Sequence, residues 1–574
     1  MKNKELAAIF KTIADLLEIK GEGPFRVNAY RRVARIIRNL TTDIETVAAS
    51  GELAGLPGVG KSTVEKVGQF LADGDIKLHR ELLASMPAGL PDLLDIPGMG
   101  PKKVALVWKE LGVENLADLK KAIASGKAAR LKGMGAKSVE QIQSGIEFAE
   151  KASGRTPIGL AWPVADQLAS QLRKIEGVQR VEIAGSLRRG CETVGDLDLL
   201  CVAKNGGAVV KAFTTLPQVI RVLAAGRTKG SVLVPRQDSI EIQADLRVIP
   251  AESFGAGLQY FTGSKQHNVR LREIAVRKKW KLNEWGLFDG DRQIAGKTEA
   301  SVYRKLGTPY VPPEVREDRG ELEPNAVGAL IDRKDIRGDL HMHTTASDGT
   351  MSAETMARAA HALGYEYMAI TDHSKSSTIA NGLSIDRMWR QIERIRKLNN
   401  KAEMITLLVG CECDILSDGS LDYPDPILAA CDIVVASIHS GIRQDRKKIT
   451  GRLLAAMDNP HVTIMGHPTA RLINRREPMD VDMEAVVVRA AETHTALELN
   501  ASWQRLDLCD RHLRMARDAG VKIAIDTDAH AALQLDQMAF GIATARRGWL
   551  RCKDVINTRH LPMLRKWIAK KRKR

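Results

Sequence analysis

The chain predicts a multidomain protein in which a helical region and an α+β segment precede a carboxy-terminal α/β domain. Three observations lead there. Gly-x-Gly turns open three apolar-periodic helices in the first quarter of the chain, strand-like runs carrying alternating aspartates follow near Asp196 and Asp245, and beyond Gly338 short apolar runs ending in His, Asp or Glu alternate with helical stretches. A length of 574 residues leaves room for three or four domains. The net charge of +16 and a pI near 9.4 suggest a polyanionic partner. Seven cysteines (Cys191, Cys201, Cys411, Cys413, Cys431, Cys509 and Cys552) are an odd number set mostly in apolar runs, which argues against a disulfide framework and fits a reducing cytoplasm. No apolar run is long enough to span a bilayer.

The first segment, MKNKELAAIFKTIADLLEIKGEG, sets Ile9, Ile13, Leu16 and Leu17 at helical spacing, interrupted by Lys11 and Asp15. That pattern is an amphipathic helix and not a signal peptide. Three segments then repeat one theme: LPGVGKSTVEKV from Leu56, IPGMGPKKVALV from Ile96 and LKGMGAKSVEQI from Leu131. Each places two glycines and a lysine at the start of a helix: Gly58, Gly60 and Lys61; Gly98, Gly100 and Lys102; Gly133, Gly135 and Lys137. Glycine lets the backbone turn tightly and approach a ligand, and the first amides of the helix attract anions. One such turn is ordinarily only a turn, but three copies resemble helix-hairpin-helix motifs that grip DNA phosphate without reading sequence. GPFRVNAYRRVARII together with PGVGKSTVEKVGQFL resembles the small lyase-type domain of DNA polymerase beta. In that family one lysine forms a Schiff base with an abasic sugar, and Lys66 occupies the matching place; a phosphate-binding lysine is the other reading. These readings divide the region into a lyase-type domain over 1–90, with the first motif, and further helix-hairpin-helix structure over 91–152.

From Val181 the chain reads VEIAGSLRRGCETVGDLDLLCVAK, and later IEIQADLRVIP and LQYFTGSKQHNVRLR. Asp196 and Asp198 alternate with Leu197 and Leu199, so both carboxylates share one strand face, and Asp245 sits in a second alternating run. Three converging carboxylates can hold two divalent ions that bind a triphosphate and activate a primer hydroxyl. An isolated Asp-x-Asp is common on solvated strands; Gly185, Ser186 and Asp245 strengthen the reading. These residues resemble the palm of a family X DNA polymerase, a likeness that runs from the amino terminus to about Asp318. It implies that Gly185, Ser186, Arg189 and Arg155 bind the triphosphate, that Tyr260 and Phe261 beside Gly263 sense the sugar, and that Asn268 and Arg272 contact the nascent pair and the template. Lys265, also on the nucleotide side, stands where vertebrate members tend to carry Asp. The resemblance places the palm over 153–250 and a thumb-type, nucleotide-selecting subdomain over 251–315. Proline and charge make 316–336 a linker.

Between Gly338 and Gly349 the chain reads GDLHMHTTASDG. His341 and His343 are two apart, so their imidazoles face one side of a strand. Similar endings follow at Asp372 and His373, Glu412, His439, His467, and Asp528 and His530. A lone His or Asp at a strand end is usually capped or solvated, whereas six such ends in one segment point to bound metal. Helical stretches such as Ala353 to Leu363 and Arg387 to Asn399 separate the strands, giving a parallel barrel or a doubly wound sheet. In a barrel, strand ends distant in sequence meet on one face. The expected ligand set is His341, His343, Asp348, His373, Glu412, His439, His467, Asp528 and His530, and its mixed imidazole and carboxylate donors suit Mn, Zn or Fe better than Mg. Cys411 and Cys413 flank Glu412 and point away from it. This segment, 337–574, resembles the PHP phosphoesterase domain, a distorted (β/α)7 barrel that usually holds three metal ions. The final run, KWIAKKRKR, reads as a solvated, frayed tail.

Polymerase-like and PHP-like parts in this order resemble the bacterial family X DNA polymerases. The resemblance implies a monomeric, cytoplasmic, nucleoid-associated enzyme that fills short gaps in double-stranded DNA from dNTPs during base excision repair. It would use Mg or Mn in the palm and three Mn or Zn ions in the PHP site for 3′-5′ exonuclease action, with lyase and abasic-site cleavage as possible additions. Two alternatives stay open: a PHP domain that is structural or acts on small phosphate esters, and a non-catalytic helix-hairpin-helix scaffold.

Overall fold

The computed structural model describes residues 2–38, 44–55, 59–96, 98–136, 138–140, 142–143, 146, 154–238, 240–400 and 405–573. They form two compact units, the first comprising Met1–Ser153 with Asn474–Arg476 and the second Gly154–Ile473 with Glu477–Arg574.

The first unit is helical. Its opening helix, Lys2–Lys20, buries Leu6, Phe10, Ile13 and Leu17 at i, i+4, i+7 and i+11, against a core that includes Val67, Phe70, Val104 and Val107. Asp15, which interrupts the apolar stripe, is buried because Lys11 Nζ (2.8 Å) and Arg31 (3.1 Å) of the next helix, Pro24–Arg38, donate to it. An acid tolerated there only with partners ties the two helices together.

In the second unit a five-stranded sheet comes first, in the order Val178–Ile183, Leu197–Ala203, Glu241–Ile249, Lys229–Pro235 and Arg221–Ala225. The second and third of these strands are parallel, with Asp198 opposite Asp245 in register. Helices Ile158–Arg173 and Gly206–Thr214 cover one face. Leu200 and Val202, on the face that carries Asp198, pack against Phe254 and Leu258 of the helix Phe254–Thr262. A three-stranded sheet, Lys281–Asn283, Gly286–Asp289 and Arg292–Ala295, follows with helices Lys265–Arg277 and Glu299–Leu306.

The run 316–336, expected as a linker, is packed, because its charges find buried partners. Arg316 has no accessible surface; its Nη1 donates to Glu299 Oε1 (2.7 Å) and its Nε to the Val311 carbonyl (2.9 Å). Glu321 accepts from the Asp318 and Arg319 amides and contacts His267 Nδ1 at 2.7 Å, while His267 Nε2 lies 2.8 Å from the Tyr303 hydroxyl.

The remaining residues build seven parallel strands in chain order: Gly338–Asp339, Tyr367–Ile370, Thr406–Asp414, Ile433–Ser437, Ile464–Met465, Ala496–Asn500 and Ile523–Asp526. Beyond the first and last strands the chain closes the ring, since the His343 amide donates to the Ala529 carbonyl (2.9 Å) and the Asp528 amide to that of His341 (3.0 Å). Alternation sorts the side chains: Met368 and Ile370 face the surrounding helices, and Tyr367 and Ala369 face the interior with Leu408, Val435 and Ala524. The expected frayed tail is instead the helix Leu561–Arg572. Leu564, Trp567 and Ile568, at i, i+3 and i+4, seal the interior, and buried Lys571 donates to the Met457 and Thr493 carbonyls and to Thr495 Oγ1.

Barrel and palm are joined by specific packing. Trp503 lies so close over Gly159 that a Cβ there would sit 2.1 Å from its ring, and Leu506 is buried in the palm core. Arg547 donates to the Arg189 carbonyl (3.1 Å) and Glu317 (2.9 Å), and Arg471 to Glu192 (2.6 Å).

Glu299 sits at the centre of the packed segment, bidentate with Arg188 (2.9 and 2.7 Å) and bonded to Arg316. Burial opposes its ionisation, but the two guanidinium groups outweigh burial and hold its pKa at about 2. A carboxylate depressed in the folded state stabilises the fold above its ordinary pKa of 4.5, and that contribution disappears as pH falls from 4.5 toward about 2. Glu299→Gln is therefore expected to lower stability near neutral pH by about 3–5 kcal/mol, as for a broken buried pair, and to flatten the acid limb of a denaturation midpoint against pH. A midpoint unchanged at pH 7 would show that the pair adds nothing.

Candidate metal centres and nucleic-acid surface

Asp196, Asp198 and Asp245 present carboxylate oxygens that all lie within 4.8 Å of one another. Strand register does most of this, since Asp198 and Asp245 are partners on adjacent parallel strands. Gly185 is required beside them: its φ is +64° and a Cβ would fall 2.1 Å from Asp198 Oδ2. Burial, then the charges of Asp196 and Asp245, push Asp198 up to about 7, and burial with Asp245 raises Asp196. Such crowding is relieved by cations, and this donor set of three carboxylates suits hard divalent ions. Two partners of Asp245 were not foreseen: Gln243 Nε2 donates to its Oδ1 (3.1 Å) and Lys229 Nζ stands 3.9 Å from its Oδ2.

A cavity of about 490 Å³ opens on Asp196 and Asp198 and is lined by Gly185, Ser186 and Arg189 and by residues from Tyr260 to Arg272. Gly263, Lys265 and Asn268 are among the latter, and the Tyr260 and Phe261 rings meet edge-on at 5.2 Å. Asn268 is oriented by bonds to the Tyr260 carbonyl and Gln259 (both 2.7 Å). Arg155 lies outside this cavity. It donates to Thr193 Oγ1 (2.9 Å) and lines a separate space of about 390 Å³ with Arg471 and Arg547, although its charge still reaches Asp196.

At the barrel mouth all nine expected metal ligands meet. Three overlapping groups could each hold an ion: His343, Asp348, His373 and His530; His341, His343 and Asp528; and His373, Glu412 and His439. His467 joins through Glu412 Oε1 at 3.0 Å. Glu412, 1% exposed, stands 2.8–3.6 Å from five imidazoles: Oε2 faces His341, His343 and His373, and Oε1 faces His439 and His467. His341 Nε2, His343 Nδ1, His373 Nδ1, Glu412 Oε2 and His467 Nδ1 are buried without a hydrogen-bond partner. Buried lone pairs left this way are costly, and bound cations would satisfy them, so the residues fit a metal cluster.

Five of the imidazoles fall into two electrostatic classes. Burial alone would depress His341, His439 and His530, but neighbouring carboxylates outweigh it. Glu498, Glu412 and Asp528 hold His341 well above its ordinary value, Glu412 and Asp414 bring His439 to about 10, and Asp348 and Asp528 bring His530 to about 9. Burial and the neighbouring His530 and His373 lower His343 to about 3, and burial with Arg505 lowers His467 to about 4.

Sequence reading missed the supporting residues. Glu498 contacts His341 Nδ1 at 2.6 Å, Asn500 donates to Asp528 Oδ2 (3.1 Å), and Asp414 bonds His439 Nδ1. The run ALELN repeats the apolar-then-polar theme and could have shown Glu498 and Asn500. Asp372 turns away from the cluster to accept from Thr344, Ser347 and Gln391. Cys411 and Cys413 point into the apolar core.

In the helical unit, Gly58 and Lys137 lie outside the described residues. Gly60 and Gly100 are the N-caps of helices Lys61–Asp73 and Pro101–Leu111, with no side chain closing their amides. Gly98 and Gly133 both adopt φ +94°, the left-handed turn that favours glycine, and Gly135 precedes the third helical start. Lys61 and Lys102 are exposed on the first turns. Lys66 Nζ donates to Ser62 Oγ (2.6 Å) and stands 5.8 Å from the Tyr30 ring centre.

Family models match the helical regions, the thumb and the barrel. A helix-hairpin-helix domain model matches residues 1–76, a SAM-like helix-hairpin-helix tandem 90–147, the DNA polymerase beta thumb 257–317, and the PHP domain 339–501. The DNA polymerase/3′-5′ exonuclease PolX of Bacillus subtilis (strain 168) is 39% identical over 564 residues, 98% of each chain. The chain belongs to the family X DNA polymerases that carry a PHP domain. Other relatives match only part of the chain. A probable phosphatase of Thermoanaerobacter sp. (strain X514) is 29% identical over 38% of this chain and 89% of its own length. One of Clostridium acetobutylicum is 31% identical over 34% of this chain and 80% of its own. No helix among the described residues is long and apolar enough to cross a membrane.

Neighbouring carboxylates favour the protonated forms of His341, His439 and His530 in the ion-free site, so metal loading is expected to displace protons. Titrating Mn or Zn calorimetrically into chelator-stripped protein is expected to release at least one proton at pH 7. Affinity should rise with pH by about tenfold per unit for each proton displaced. Heats independent of the buffer's ionisation enthalpy would contradict this assignment.

Proposed function

We propose that this protein fills short gaps in double-stranded DNA from dNTPs during base excision repair and removes 3′-terminal nucleotides in its PHP barrel. The observation that carries the reading is two separate clusters able to hold metal ions in one chain that aligns over 98% of its length with a PolX relative. In the palm, Asp196, Asp198 and Asp245 would hold Mg or Mn. A bound divalent pair supplies charge neutralisation of the triphosphate and a more acidic primer hydroxyl. Ser186 and Arg189 donate to phosphate oxygens, Tyr260 and Phe261 wall the sugar, and Asn268, Lys265 and Arg272 face the base pair and template. The primer 3′ oxygen forms the new bond to the α-phosphorus as the bond to the leaving pyrophosphate breaks.

In the barrel the nine ligands would hold three Mn or Zn ions, whose contribution when bound is an activated water and neutralised phosphate charge. Water adds to the terminal phosphorus and the upstream 3′ oxygen leaves, releasing a nucleoside 5′-monophosphate. The helical unit grips backbone phosphate through Gly60, Gly100, Gly135, Lys61 and Lys102. Lys66 adds a phosphate contact in this reading; Schiff-base chemistry would require its amine to leave Ser62. A monomer in the cytoplasm, associated with the nucleoid, fits the basic charge and the reduced cysteines.

The two probable phosphatases that share the barrel favour a second reading, in which it hydrolyses terminal phosphate monoesters. Labelled one-nucleotide-gap DNA separates the readings. Asp198→Asn is expected to cut nucleotide incorporation by at least about a hundredfold and spare 3′-end removal; His341→Asn should do the reverse. Removal of a 3′-phosphate with no loss of nucleotides by the wild-type protein would establish the phosphatase reading in place of the exonuclease.

A further inference from the structure

The loop that follows strand Ala496–Asn500 carries an arginine into the barrel mouth. Its backbone is tightly braced: the Ile473 amide donates to the Gln504 carbonyl (2.7 Å), Arg471 Nε to the Arg505 carbonyl (2.8 Å), and the Trp503 amide to Gln537 Oε1 (3.1 Å). Trp503 and Leu506 fix the other side of the loop in the palm core. Between them Arg505 projects toward Asp528, with Nε 3.6 Å from Oδ2 and an 18% exposed side chain.

The two form an ion pair, but 3.6 Å is too long for a hydrogen bond, so Asp528 does not use up the donors of the guanidinium. Asp528 is otherwise engaged: Oδ2 accepts from Asn500 (3.1 Å), and Oδ1 faces His343 (3.1 Å) and His341 (3.7 Å). Asp507, the other acid within reach of the Arg505 charge, accepts from the Thr469 amide at Oδ2 (3.0 Å), and its Oδ1 makes no hydrogen bond to the guanidinium. Among the described residues, Arg505 Nη1 is buried with no hydrogen-bond partner. An arginine donor is rarely left bare in a buried site, because its desolvation is then uncompensated. A planar guanidinium one carboxylate away from a metal-ligand cluster matches the oxygens of a phosphate that bridges the cluster and the loop.

We propose that Arg505 is a catalytic residue of the barrel, donating to a non-bridging oxygen of the phosphate being released from the DNA 3′ end. This rests on the exonuclease reading. Arg505 binds the phosphoryl group of the substrate and of the nucleoside 5′-monophosphate product, and it holds that phosphate at the cluster while water adds. The palm-side packing of Trp503 and Leu506 keeps the guanidinium in place without contributing a group of its own to the reaction.

The test uses full-length, manganese-loaded protein and thymidine 5′-monophosphate as probe, counting only the calorimetric binding that His341→Asn abolishes. Arg505→Gln and the charge-retaining Arg505→Lys are compared with wild type for nucleotide affinity, manganese content, 3′-end removal and gap filling. Arg505→Gln is expected to weaken nucleotide binding by about tenfold to a hundredfold and to slow 3′-end removal. Manganese content and gap filling should stay at the wild-type level, and Arg505→Lys should fall between the two. Unchanged nucleotide affinity in Arg505→Gln would overturn the proposal, as would a weakening that disappears at saturating manganese, since Arg505 would then only support Asp528. Failure of the wild-type protein to remove 3′ nucleotides at all would sink the exonuclease reading itself.

Discussion

Glu412 is almost fully enclosed, and five imidazoles surround it at 2.8–3.6 Å. A lone carboxylate at that depth would be severely destabilising, and its pKa would rise until it neutralised. Burial does push Glu412 upward, but the charges of His439, His373 and His341 hold it well below the ordinary range. The barrel mouth is therefore tolerable only as a balanced set of charges, and seven parallel strands make that balance possible by bringing their carboxyl ends to one place. Helix Leu561–Arg572 seals the opposite end, so the polar mouth is supported by a dry interior.

The palm solves a smaller version of the same problem with different means. Asp198 and Asp245 are neighbours by strand register, and Gly185 yields the space that the Asp198 carboxylate occupies. Three acids with few compensating cations leave Asp198 at about 7, a state that favours incoming divalent ions over an empty site. Both centres belong to one compact unit. Arg547 of the barrel holds Glu317 and the Arg189 backbone, so a residue lining the cavity beside the palm carboxylates is braced by the barrel.

Much of this arrangement was legible in the sequence, because its signals are periodic. Alternation put Asp196 and Asp198 on one face, and polar residues at the ends of apolar runs marked nine residues that meet at the barrel mouth. Glu498 escaped because it lies inside its strand and not at the end, and Arg505 because an irregular loop has no period to betray it. Charge misled twice. Arg316 and Glu321 looked like linker residues, yet each is buried against a partner distant in sequence. The lysines of the last helix hid the spacing of Leu564, Trp567 and Ile568. Arg155, which the resemblance puts with the triphosphate, is bonded to Thr193 and lines a space next to the cavity of Ser186 and Arg189, while its charge still reaches Asp196.

The dependence of the barrel's metal cluster on its central carboxylate can be measured directly by counting the manganese retained by Glu412→Gln after gel filtration, alongside gap filling by the same preparation. Loss of most of the barrel's bound ions with gap filling retained is the expected result. Retention of the full wild-type complement would mean that the imidazoles hold the ions without Glu412, and that the charge balance described for the barrel mouth is wrong.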